Sequence, residues 1–313
     1  AGCSTPRTVP QYRFVLMLIV DAIRFDFIPQ FKSIEKTLRD QPSKARLFDF
    51  VADAPTTTMQ RLKALTTGGL PTFVDMGRSF EAGIDIQEDN WVHQAVRAGH
   101  EMRVVGDDTW VSLYPEHRVT EALPFPSLNV KDIDGCDDHV IKHFPEQLEK
   151  AAGSSVDGSS IVVGHFLGVD HIGHRFGIEH PEMRRKVQQM DQFLDQIKDW
   201  AVETSAKGKG ETLLLLFGDH GQTISGDHGG ATLEEVESFL FAFSSADFID
   251  DPFHGKLPVP DQTADFAQFL GPPHTQFRDF LSGSAPVSFA GRETAPRILQ
   301  SDFVPTISAA QQV

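Results

Sequence analysis

Apolar residues cluster along the chain in short unbroken runs. FVLMLIV fills 14–20, VVG closes a run from 102, SIVV opens one at 160, TLLLLF fills 212–217 and SFLFAF fills 238–243. None alternates with polar residues, so each reads as a strand covered on both faces, as in parallel sheets. Between them the period changes to that of a helix. DNWVHQAVRAGH (89–100) is amphipathic, and Val187, Met190, Leu194, Ile197 and Ala201 recur at three and four residues. Met59, Leu62 and Leu65 keep helical spacing and Gly68 follows as a stop. This rhythm predicts an α/β fold, a mostly parallel central sheet with helices on both faces. Residues 1–313 are expected to form one domain. The weakly periodic stretch at about 244–300, rich in Pro, Phe and Asp, reads as a loop-rich cap, with a last apolar element near ILQSDFVPTI (298–307).

In such sheets ligands gather beyond the carboxyl ends of the strands. Asp21, Asp170, Asp219 and His220 each stand one to four residues after an apolar run. His228 follows in the glycine-rich GDHGQTISGDHGG (218–230), which can return toward the strand end. In GVDHIGH, Gly173 is expected to make a turn that aims Asp170 and His174 at one point. Asp and His oxygen and nitrogen donors suit a divalent cation such as zinc, with a position left open for substrate. The threonines of APTTTMQRLKALTTGG (54–69) precede the helix marked by Met59, Leu62 and Leu65. One reading is an ordinary helix cap. The other uses the same geometry: unpaired N–H groups at a helix start hold phosphate, and a cation-bound threonine hydroxyl becomes a nucleophile.

Composition narrows the partners. A formal net charge of −16, from 28 basic and 44 acidic residues, disfavours nucleic acid and is compatible with cations, although solubility alone accounts for most of it. No stretch reaches the ~18 apolar residues of a membrane span. Two cysteines, Cys3 and Cys136, leave a disulfide and two free thiols equally open. His165, inside an apolar run, reads as a hydrogen-bonded core residue. His171 and His180, beside the Asp170 motif, fit either outer support of ligands or the surface.

Taken in order, VDA with Asp21, a Thr before MQRLKALTTG, GDDTW, FLGVDHIGH and GDHG…GDHGG resemble the alkaline phosphatase superfamily. Within it they are similar to the GPI ethanolamine-phosphate transferases of the endoplasmic reticulum, most of all the type acting on the third mannose, over about residues 14–245. The resemblance implies two Zn2+. Asp21, Thr58, Asp219 and His220 would hold the first, and Asp170, His174 and His228 the second. Thr58 would be the nucleophile, with Thr57 the runner-up. Phosphatidylethanolamine would be the donor and a mannose hydroxyl of a GPI-precursor glycan the acceptor. The chain would be the luminal domain of a multi-pass membrane protein with a small membrane partner subunit. Gln222 stands where the family usually has Met, implying a change in packing. Asp107, Asp108 and Trp110 of GDDTW are candidates to hold the ethanolamine ammonium, against the plainer reading of a turn with a core Trp. Two other classes use the same residues: a zinc phosphodiesterase or phosphatase, and a metal-stabilised binding domain without catalysis.

Overall fold

The structure, a computed structural model, describes residues 12–69, 86, 88–115, 119–248, 297–300 and 303. At its centre strand β1 (Phe14–Val20) lies between β5 (Ser160–Phe166) and β6 (Thr212–Phe217), parallel to both. Beyond β5 come β3 (Glu101–Asp107) and β4 (Glu121–Phe125). Beyond β6 come β7 (Glu237–Ser244), β2 (Ala45–Val51) and β8 (Arg297–Leu299). Every residue of β1, β5 and β6 is buried, as their unbroken apolar runs require.

Alternate residues of β1 serve opposite cores. Phe14, Leu16, Leu18 and Val20 join one cluster with Val140 and Phe144 of helix α5 (Gly135–Ala152) and with Val187, Met190, Leu194 and Ile197 of α7 (Pro181–Ala206). Val15, Met17 and Ile19 join the other with Leu62 and Leu65 of α2 (Thr58–Thr67) and with Trp91 and Val92 of α3 (Trp91–Ala98). Burying one such side chain is worth ~1.5–3 kcal/mol, so each helix is held to the sheet by its apolar stripe. Helix α1 (Lys32–Asp40) completes the first layer through Ile34 and Leu38.

Strand β7 runs antiparallel to both its neighbours, and the other strand pairs are parallel. The 218–236 connection explains it. Instead of a covering helix that carries the chain back, these residues stay at one end of the sheet and finish in the short helix α8 (Leu233–Val236). The chain therefore re-enters reversed beside β6, with Leu216 opposite Phe241. Strand β8 with Gln300 and Phe303 corresponds to the expected last apolar element; 301–302 and 304–307 lie outside the described residues, as does most of the expected cap and Cys3. Cys136 is a free, buried thiol. Among the described residues no helix is long and apolar enough to cross a membrane.

Candidate active site

Asp21 is the first residue past β1, and its backbone N–H still bonds the Phe166 carbonyl of β5. Ala22 then turns sharply with φ of 56°, a conformation that L side chains rarely adopt outside functional turns. Two contacts hold it: Ala22 N donates to Asp219 Oδ1 at 3.3 Å, and Gln222 Nε2 donates to the Ala22 carbonyl at 2.9 Å. Gln222 thus does more than repack a methionine site, because an amide there braces the turn that follows Asp21.

Asp219 and His220 leave the end of β6. His220 Nδ1 lies 2.8 Å from the Gly221 carbonyl, so Nδ1 carries the proton and the Nε2 lone pair is left for another partner. Nε2 faces Asp21 Oδ1 at 3.4 Å and Asp219 Oδ2 at 3.5 Å. Both oxygens and the nitrogen are buried without a hydrogen-bond donor. Three electron-rich atoms facing one another away from water are costly unless a cation lies between them. Helix α2 begins beside them, and Thr58 Oγ1 donates to Asp21 Oδ2 at 3.1 Å. Thr57 is the N-cap but makes no side-chain capping bond, and Thr56 is fastened to the Gly229 amide and Gly230 carbonyl. Of the three threonines, Thr58 is the one placed on a carboxylate.

The second group forms on helix α6 (Gly168–Phe176). Asp170 and His174 are four residues apart within that helix and so share a face. Gly173 is therefore helical and not the expected turn. Its role is close approach, since a Cβ on Gly173 would strike Gln222, and one on Gly226 would strike the Gly173 backbone. Gly226, with φ of 85°, lets the loop lie against α6 and deliver His228. His228 Nδ1 is 2.8 Å from the Thr56 carbonyl, again leaving Nε2 toward the site. Asp170 Oδ1 lies 3.1 Å from His228 Nε2 and 3.3 Å from His174 Nε2, and the two nitrogens are 3.0 Å apart. The His220 and His228 rings stack at 4.4 Å, so the two groups adjoin.

Burial and neighbouring charges shift the site's titrating groups in opposite directions. Burial, then the Asp219, Asp170 and Asp107 charges, push the Asp21 pKa well above the ordinary carboxylate value, and the Thr58 hydrogen bond offsets only part of this. Burial lowers that of His220 despite Asp219. Burial opposes the charges at Asp170 and His228 too, but their contact outweighs it, lowering the pKa of Asp170 and raising that of His228. Both groups, Asp21–Asp219–His220 and Asp170–His174–His228, bring their donor atoms within 4.8 Å of one another, a set of oxygen and imidazole donors that suits a divalent cation.

Asp107 and Trp110 are buried, at 1% and 2% exposure, against His165, and Asp108 accepts from the Ser127 hydroxyl and amide. His171 faces the Ser127 and Asp132 carbonyls and His180 accepts from Glu182 N at the start of α7, so neither touches the donor groups. Sequence reasoning left two residues out of the site. Ala22 gave no signal, because its turn is a tertiary consequence. His165 had one: an imidazole inside an otherwise apolar strand needs a buried polar partner. It lies 3.8 Å from Asp21 Oδ2 and 3.6 Å from Asp107 Oδ2.

The chain is similar to known proteins over most of its length. The family model described as type I phosphodiesterase / nucleotide pyrophosphatase matches residues 85–240. The catalytic subunit of human GPI ethanolamine phosphate transferase 3 is 40% identical over 248 residues, 74% of this chain and 21% of that protein. The chain thus spans about a fifth of that relative's length. In structure it is similar to the integral membrane protein lipooligosaccharide phosphoethanolamine transferase A of Neisseria meningitidis, with a TM-score of 0.59 and 14% identity over 98% of this chain and 56% of that one. The C-terminal periplasmic domain of EcEptC from Escherichia coli, solved in complex with Zn, gives a TM-score of 0.55 at 10% identity over 96% of this chain and 82% of that one. With the sheet shared with these structures and this relative in agreement, the chain belongs to the GPI ethanolamine phosphate transferase family.

Proposed function

We propose that residues 1–313 form one catalytic domain that transfers phosphoethanolamine through Thr58, with zinc at both donor groups. The observation that carries this is the placement of the Thr58 hydroxyl on Asp21, at a helix start and beside two adjoining sets of oxygen and imidazole donors. Asp21, Asp219 and His220 would hold one ion and Asp170, His174 and His228 the other. When bound, the ions supply positive charge to the reacting oxygens and lower the pKa of the nucleophile.

The chain's own residues do the rest. Asp21 accepts the Thr58 hydrogen bond and orients Oγ1. The first amides of α2, which Thr57 leaves uncapped, face developing negative charge on phosphate. Thr58 Oγ1 forms a bond to phosphorus as the donor's diacylglycerol oxygen leaves, giving phosphoethanolamine-threonine and diacylglycerol. A mannose hydroxyl then forms the new bond to phosphorus and Thr58 leaves. The donor in this reading is phosphatidylethanolamine. The acceptor is a GPI-precursor glycan, at its third mannose by the resemblance of the motifs. The location is the lumenal side of the endoplasmic reticulum, in a longer membrane protein with a small partner subunit.

A second reading has an observation of its own, the phosphodiesterase family model over 85–240: water would replace the mannose. Zinc-loaded protein incubated with short-chain phosphatidylethanolamine and a mannoside separates the two. Phosphoethanolamine-mannoside as the product, lost in Thr58→Ala, supports transfer. Free phosphoethanolamine as the sole product favours hydrolysis. Zinc binding with no chemistry at all would leave a metal-stabilised binding domain.

A further inference from the structure

His165 stands on β5 opposite Ile19 of β1 and Gly106 of β3, between the strands that end in Asp21 and Asp107. Its side chain has no exposure, and its ring lies with Asp21 and Asp107 in a third set of oxygen and nitrogen donors within 4.8 Å of one another, outside the two groups proposed to hold zinc. The Trp110 indole N–H points to His165 Nδ1 at 3.1 Å. An indole nitrogen can only donate, so Nδ1 must accept, and a neutral His165 then carries its proton on Nε2. That edge of the ring faces Asp21 Oδ2 at 3.8 Å, and Nε2 has no hydrogen-bond partner among the described residues. Asp21 therefore takes one hydrogen bond, from Thr58 at Oδ2, with the His165 Nε2 edge facing that same oxygen, while Oδ1 is turned to His220. Gly106 makes room for this: a Cβ there would strike the His165 carbonyl. Asp107 in turn sits on the Thr109 amide at 2.8 Å, at the start of the short helix α4 (Thr109–Leu113) that carries Trp110.

We infer that His165, its tautomer fixed by the Trp110 N–H, is a positioning residue that holds the Asp21 carboxylate with one oxygen directed to the cation. Buried partners of this kind set ligand orientation, and their loss costs about tenfold to a hundredfold in metal affinity. This rests on the reading of Asp21, Asp219 and His220 as a cation site. The His165 ring faces Asp21, Asp107 and Trp110 and not Asp170, His174 or His228, so its influence is confined to one of the two centres.

Zinc titration of the metal-free protein by calorimetry tests it, with circular dichroism and melting as checks on folding. Wild type is expected to bind in two steps. His165→Leu should weaken one step about tenfold to a hundredfold and leave the other unchanged. His165→Gln, which keeps an amide N–H near the same place, should recover most of the loss. Trp110→Phe keeps the ring bulk and should weaken the same step. The His165→Leu/Trp110→Phe double variant should lose no more than His165→Leu alone, because Trp110 acts only through the His165 ring. A purely structural role would lower the melting temperature and move both steps or neither. Unchanged affinity in folded His165→Leu, or in folded Trp110→Phe if the first variant does not fold, overturns the inference while wild-type binding stands. A wild type that binds no zinc overturns the cation site itself, and this inference with it.

Discussion

Asp21 gives its two oxygens different work. Oδ2 takes the Thr58 hydroxyl, and Oδ1 looks toward His220 with no donor of its own. Its raised pKa has a direct consequence for stability. A carboxyl whose folded pKa lies above its unfolded one favours folding below the unfolded value, and that contribution is lost as pH rises through the folded value. In the metal-free protein burial of this carboxyl opposes its ionised form as pH rises, so Asp21→Asn should raise the melting temperature above the acid range. With zinc present the sign reverses, because the variant loses a ligand. Melting curves with and without zinc at pH 7.5 check this crossover. Thr58→Ala should remove transfer by about ten-thousandfold or more, as expected for a covalent nucleophile, while Thr57→Ala stays active. Initial rates of phosphoethanolamine release decide between the two threonines. The ligand types were legible at this scale because Asp and His next to glycine, after apolar runs, have few packing roles. The roles of Ala22 and Gln222 were not, since a backbone turn and the amide that braces it belong to contacts nearly 200 residues apart.

Helix α6 and the 218–230 loop meet through two glycines, and that contact sets the second donor group. Gly226→Ala combines an unfavourable positive φ with a clash against the Gly173 backbone. It should cost about 1–3 kcal/mol in stability. It should also weaken zinc binding at the Asp170–His174–His228 group in preference to the Asp21 group, which calorimetric titration resolves as loss of one step. Helix periodicity alone identified α7, and Val187, Met190, Leu194, Ile197 and Ala201 are all buried. It did not identify α6. The nine residues GVDHIGHRF hold glycine, histidine and aspartate, all poor helix formers, and the segment is helical because its face is packed between α7 and the loop. The direction of β7 was equally hidden. SFLFAF marks a buried strand, but its sense depends on how the 218–236 connection spends its length around the site.

At the scale of the molecule, three neighbouring parallel strands deliver every carboxylate proposed here as a metal ligand to one end of the sheet: β1 brings Asp21, β5 leads into Asp170 and β6 into Asp219. That convergence could be read from the sequence because a parallel sheet puts all its strand ends on one edge. Cation binding at this edge should tie the fold together. Zinc at a hundred times its dissociation constant adds about 2.7 kcal/mol to stability. The gain should shrink as pH falls, since His228, whose pKa Asp170 raises against burial, must release its proton before Nε2 accepts a cation. Melting temperatures with zinc and with chelator at pH 5.5 and 8 measure it, and an equal gain at both would argue against His228 as a ligand. The central claim, that this edge carries out phosphoryl transfer through Thr58, is tested most directly by mass. Zinc-loaded protein is exposed to short-chain phosphatidylethanolamine without acceptor, quenched in acid, weighed intact and mapped by peptide. One phosphoethanolamine group is expected, on Thr58, absent from Thr58→Ala and from chelated protein. Turnover of the donor by a protein that never carries the group, or a group carried on any other residue, would contradict it.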